Sequence, residues 1–178
     1  MQQSGTACWC AGLVNHLFRQ SWPCFRKTKR GGNPIQVRAR IIANGELVFL
    51  RFTGRQTAEA AVSELQRMRS LPEYEVGMPE LADLSGITGH NLNFDKMRLL
   101  AIAANTEGKE SGRIKKIAVF APDPALFGMA RMFSTLSELE PGNARAAAFQ
   151  TQSEALEFLG RPEAGFEEIP GYDLVPLA

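Results

Sequence analysis

Asp83-Leu84-Ser85-Gly86-Ile87-Thr88-Gly89, followed some thirty residues on by Ile117-Ala118-Val119-Phe120-Ala121-Pro122-Asp123-Pro124, decides how this chain folds. Each stretch reads as a buried strand breaking into a polar turn marked by Gly or Pro, and each turn runs into a helical pattern. Two such strand ends in succession predict a parallel βαβ unit. In open α/β sheets the carboxyl edge of the strands is where ligands and partners usually bind. The pattern therefore indicates where a site should lie, without offering a group to do chemistry there.

Working outward, the chain alternates strands and helices from Pro34. Gln36 to Ala43 alternates Val37, Ala39 and Ile41 with basic residues, and Asn44-Gly45 is the preferred two-residue hairpin turn. Leu47 to Phe52 is the expected return strand, ending at Thr53-Gly54. Ala58, Ala61, Val62, Leu65 and Met68 recur at helical spacing, with Glu59, Glu64, Arg67 and Arg69 on the outer side. The third strand is expected at Leu81 to Leu84 and the second helix at Phe94 to Ala104, its start marked by Asn91, Asn93 and Asp95. Ile114 to Ala121 is the fourth strand. Asp123 as N-cap with Pro124 at the first helical position opens a third helix. Its buried stripe is Leu126, Met129, Ala130, Phe133 and Leu136, and Pro141-Gly142 ends it. Ala144 to Phe149 is the fifth strand. A capping box, Thr151 with Glu154, opens a short last helix through Leu159, closed by Gly160 and Pro162. The fold class is α/β, ββαβαβαβα, with a mixed five-stranded sheet and helices packed on it.

With 178 residues, 44% hydrophobic and 22% charged, the chain has the make-up of one ordinary globular domain. Its net charge of +1 hides a polarised distribution. Between Met1 and Gly45 there are seven basic residues and no acid, which leaves 13 basic residues beside all 19 acidic ones. Gly31-Gly32 sets off residues 1–33 as a basic extension holding both Trp and all three Cys. The domain is expected at 34–160, and 161–178 reads as an acidic, Pro-containing tail. In the extension, Trp9, Trp22 and Phe25 stand beside the basic run Arg26, Lys27, Lys29 and Arg30, the composition of a membrane-surface anchor. The other readings are a disordered tail, or an upstream extension that is not part of the working protein. Cys8, Cys10, His16 and Cys24 supply a zinc-like donor set but lack paired C-x-x-C knuckles, so no metal is expected. With no Cys beyond Cys24 the core has no disulfide, which favours a cytoplasmic protein, peripheral at the inner membrane face if the extension anchors it.

Three phrases carry a resemblance: Leu81-Ala82-Asp83-Leu84-Ser85-Gly86-Ile87-Thr88, the block Phe127-Gly128-Met129-Ala130-Arg131-Met132-Phe133, and Glu154-Ala155-Leu156-Glu157-Phe158-Leu159-Gly160. From about Ile35 to Gly160 the chain resembles the bacterial STAS/CRAL-TRIO-like (SpoIIAA-like) protein family. The resemblance implies a STAS-like fold related to anti-sigma-factor antagonists and, more distantly, to phosphatidylinositol-transfer proteins. Such antagonists carry a phosphorylatable serine in an Asp-Ser turn after the third strand. That place reads Thr88-Gly89-His90-Asn91 here, without the pair, although Ser85 and Thr88 are hydroxyls nearby.

No G-x-G-x-x-G, H-E-x-x-H or G-x-S-x-G occurs. Gly108-Lys109-Glu110-Ser111-Gly112 reads as a helix-to-strand turn rather than a phosphate loop. His90 has no companion at catalytic spacing. Asp83 either meets a ligand or, the preferred reading, ties down neighbouring backbone amides. Gly128 reads as a point of close helix–sheet packing. The expected function is a non-catalytic binding or regulatory domain without cofactor, holding a small amphipathic anion, a lipid-like ligand or a partner protein at the carboxyl edge of its sheet. The candidate residues are Asp83, Ser85, Thr88, Asp123, Phe127 and Arg131, the last pairing with an anionic group whose apolar part lies on Phe127. The alternative is a peripheral membrane regulator on an anionic surface, held by the extension. A homodimer fits either reading, and nucleic acid is not expected because the basic residues gather outside the folded body.

Overall fold

A computed structural model describes residues 36–106 and 112–174. The extension, with its anchor and zinc readings, and residues Gly108 to Ser111 lie outside the described residues. Five strands, β1 (Gln36–Ile42), β2 (Leu47–Gln56), β3 (Glu80–His90), β4 (Lys115–Phe120) and β5 (Ala144–Phe149), form one sheet in sequence order. β1 and β2 are antiparallel, and every later pair is parallel. Helices α1 (Ala58–Arg69), α2 (Phe94–Asn105) and α3 (Pro124–Leu139) make the three crossovers, and α4 (Gln152–Leu159) follows β5. The α/β class and the ββαβαβαβα order are as the sequence indicates.

The helix starts follow from local chemistry. The side chains of Thr57, Asn93, Asp123 and Thr151 each accept a hydrogen bond from an amide in the first turn of the helix that follows. Asp123 caps twice, taking the Ala125 and Leu126 amides at 2.9 and 3.0 Å, with Pro124 behind it as expected. The hairpin differs from the expected two-residue turn. Ile42 pairs with Leu47, so Ala43 to Glu46 form the loop, with positive φ at Ala43, Asn44 and Gly45. Ala43 keeps that conformation, uncommon for a residue with a Cβ, because it is buried and its amide donates to the Pro170 carbonyl at 2.8 Å.

The expected end of the third strand at Leu84 is corrected. β3 runs on to His90 because β2 also runs on, to Gln56, and the two stay paired. The register advances from Arg51–Asp83 to Thr53–Gly86, and from Gly54–Ile87 to Arg55–Gly89, so β3 carries an extra residue at each step. Leu84 and Ser85 stand opposite Phe52 as the first of these bulges, and Gly86, which with Ser85 reads as a turn, pairs with Thr53 just after it. A Cβ on Gly86 would lie 2.8 Å from Thr53 Cγ2 and 2.9 Å from the Phe52 carbonyl oxygen, so the close approach of β2 requires glycine there.

The sheet is covered on both sides. α1, α2 and α3 bury one side against Ala39, Val48, Leu50, Ala82, Ile117, Val119 and Ala146. The other side holds Phe49, Leu81, Ala118 and Phe120 under α4 and the chain beyond it. The acidic stretch after Gly160 folds back into that core. Phe166 is 1% and Ile169 2% exposed, Phe166 meets Phe49 and Phe120 edge to face, and Tyr172 meets Phe49 likewise. At the sheet's outer margin, β1 is met by side chains of α1. Glu64 Oε1 accepts the Ala39 amide at 2.8 Å, and Arg67 donates to the Ala39 carbonyl at 3.3 Å.

Candidate functional site

An apolar cavity of about 110 Å³ lies between the sheet and its three crossover helices. The sheet contributes Leu50, Phe52, Ala82, Leu84, Ile117 and Val119. α2 closes it with Met97, Leu100 and Ala104, and α3 with Met129, Ala130 and Phe133. Strand periodicity explains the lining: alternate residues of β2, β3 and β4 point to the helical side. The lining takes Glu80, Ala82, Leu84 and Ile87 from β3 alone, so that strand forms the floor of the space.

The cavity has three polar side chains on its wall, Gln56, Thr57 and Glu80, and no Lys or Arg. Gln56 donates to the Thr53 carbonyl at 2.5 Å. The Thr57 hydroxyl accepts the Ala60 amide as the cap of α1. Glu80 begins β3 opposite Ile117 and is paired with Lys115 at the head of β4, Oε1 to Nζ 3.0 Å, both side chains almost wholly buried. A second buried pair lies in the sheet. Arg51 Nε stands 3.6 Å from Asp83 Oδ2, and the Arg51 guanidinium covers the rings of Phe49 and Tyr172.

None of the six candidate residues read from the sequence lines the cavity. Asp83 is buried and engaged with Arg51, and its Oδ1 accepts the Ser85 amide at 2.9 Å. Tethering a backbone amide was its preferred reading; the amide belongs to a bulge, where it has left the regular ladder. Ser85 and Thr88 are exposed on β3 itself, not in a turn beyond it, because that strand continues. Asp123 is committed to capping α3. Phe127 is half-buried and lines a separate shallow groove with Phe149, Phe158, Glu154 and Glu157, while Arg131 is exposed. Gly128 is exposed too, and a Cβ there would meet nothing within 4 Å, which corrects the expectation of close packing.

Sequence reasoning missed Glu80 and Lys115. A signal existed at Glu80, a charged residue heading the buried Leu81-Ala82, and a weaker one at Lys115, which with Lys116 precedes the buried Ile117 to Phe120. Among the described residues no group of His, Cys, Asp and Glu is arranged to hold a metal ion, and no helix is long and apolar enough to cross a membrane. No family model matches this chain, and no curated protein matches it.

Proposed function

We propose that this domain is a non-catalytic binding module that holds a small apolar ligand between its sheet and the helices α2 and α3. The observation that carries the reading is the cavity, about 110 Å³ with an almost wholly apolar wall. Apolar cavities of about 150 Å³ stay dry and take up benzene, so this volume suits a molecule of similar size. The amphipathic anion expected from the sequence is replaced by a less polar occupant, because the wall carries no cation to receive an anionic group. A STAS-like relationship is part of the same proposal. It is supported by the ββαβαβαβα order and by the block Phe127 to Phe133, which supplies Met129, Ala130 and Phe133 to the wall.

Native mass spectrometry of the purified full chain tests the reading, paired with an Ala130→Leu variant that fills the cavity from α3. The natural chain is expected to carry or take up a small apolar molecule, and the variant to lose it while still melting cooperatively. A natural chain that carries no ligand and takes up neither alkanes nor alkanols of benzene-like volume refutes the proposal.

A further inference from the structure

We infer that the cavity selects a neutral ligand bearing a hydrogen-bond donor, an aliphatic alcohol in the first instance, whose hydroxyl meets the carboxylate of Glu80. The inference rests on the binding role proposed above and names the chemistry of its occupant. Of the three polar side chains on the wall, Gln56 and Thr57 are engaged in holding the end of β2 and the start of α1. Glu80 differs. It alone of the three carries a charge, and with Lys115 on Oε1 at 3.0 Å its carboxylate, which has about four lone-pair sites, can still accept from the cavity it lines. A carboxylate oxygen is an acceptor only, so its complement is a donor on the ligand. Hydrogen bonds to charged acceptors are about twice as strong as neutral ones.

Charge decides between the possible donors. Glu80 and Lys115 together are neutral, and their side chains are 3% and 4% exposed. A neutral ligand leaves that balance intact. A carboxylate ligand would add a second negative charge beside Glu80 with Lys115 already engaged. An ammonium ligand would leave the buried site with one uncompensated positive charge. Either carries a desolvation cost that the pair cannot return. A short unbranched chain then sets its hydroxyl at Glu80 and its carbons among the apolar side chains of the wall.

The test compares pentane, pentan-1-ol, pentanoate and pentylammonium on the full chain, read by the methyl resonances of Met97 and Met129, both on the cavity wall. A plain apolar cavity prefers the alkane, because burying an unpartnered hydroxyl is costly. The natural chain is expected to bind pentan-1-ol at least tenfold more tightly than pentane, and both ions more weakly than the alcohol. The double variant Glu80→Leu/Lys115→Met removes both charges together, so neither is left buried alone, and it should reverse the order of pentane and pentan-1-ol. Tighter binding of pentane by the natural chain overturns the inference and leaves the binding role standing. An unchanged order in the double variant also overturns it. Silence of both methyls with all four probes removes the binding role, and this inference with it.

Discussion

The guanidinium carbon of Arg51 lies 4.7 Å from the centre of the Tyr172 ring, so a residue at the middle of the sheet is covered by one near the end of the chain. The same Arg51 faces Asp83 on β3, 3.6 Å away. Stacking on the aromatic ring and pairing with the carboxylate act on one cation, and the stacking requires the stretch after Gly160 to lie on the sheet. A chain ended at Pro162 would lose Phe166, Ile169 and Tyr172 together. Burying a Phe or Ile side chain contributes about 1.5–3 kcal/mol each, so the truncation should cost at least several kcal/mol. Denaturant unfolding of the two chain lengths measures it. Equal stability would mean that the stretch merely rests on the surface.

Gly128 sits in the first turns of α3 with open space around it. Gly128→Ala should therefore raise stability by about 1 kcal/mol, the ordinary difference in helix propensity. A loss of stability in urea unfolding would mean that something in solution approaches this face.

Gly86→Ala should act in the opposite direction. The new methyl would meet Thr53 Cγ2 and the Phe52 carbonyl oxygen inside 3 Å, and neither the strand backbone nor a β-branched side chain gives way easily. Overpacking of this kind costs about 1–3 kcal/mol. A melting point equal to that of the natural chain would contradict the β2–β3 bulge.

Lys115→Met alone leaves the Glu80 carboxylate buried opposite an apolar side chain. Breaking one side of a buried pair costs about 3–5 kcal/mol, whereas replacing both partners by apolar residues is often nearly neutral. The single variant should thus be markedly less stable than the double variant Glu80→Leu/Lys115→Met. The opposite ranking in thermal melts would show that the pair is not closed off from water.

Acid should weaken the contact between α1 and β1. Burial pushes the Glu64 carboxyl up, but the Arg67 hydrogen bond and the Ala39 amide outweigh it and hold it below its usual value of 4.5. A carboxyl lowered in the folded state contributes stability above its unfolded value, and that contribution is lost as pH falls through the folded one. The window is therefore below about pH 4.5. Glu64→Gln should be less stable than the natural chain at neutral pH, and the gap between their melting points should close as pH falls. A gap that stays constant across the acid range would sink this account.

Much of the fold was legible because caps and periodicity are local. Asp123 followed by Pro124 declares a helix start within two residues, and Leu126, Ala130 and Leu136 recur at the spacing that one buried side demands. What could not be read depends on register. Glu80 and Lys115 are 35 positions apart, and only the alignment of β3 with β4 brings them together. Ser85-Gly86 carries the residues of a turn, yet the serine sits with Leu84 in a bulge and Gly86 pairs with Thr53 just after it. The choice between turn and bulge was made by β2, which continues alongside. In the last stretch Phe166, Ile169 and Tyr172 stand every third residue, a signal of burial masked by the Glu and Pro around them. The candidate site was the least legible part, since a cavity is what several elements leave unfilled, and no single segment encodes it.

Ala39 is an edge residue whose amide and carbonyl are both already answered, one by Glu64 and the other by Arg67. Two side chains of a helix stand there as an imitation strand, an acceptor and a donor at the spacing that a neighbouring backbone would offer. A stray β-segment arriving at this margin finds the places it needs taken by charged groups that it cannot displace without stranding them. The first strand is thus guarded at Ala39 by a donor and an acceptor of α1, and a segment adding to the sheet there meets charge where it needs backbone.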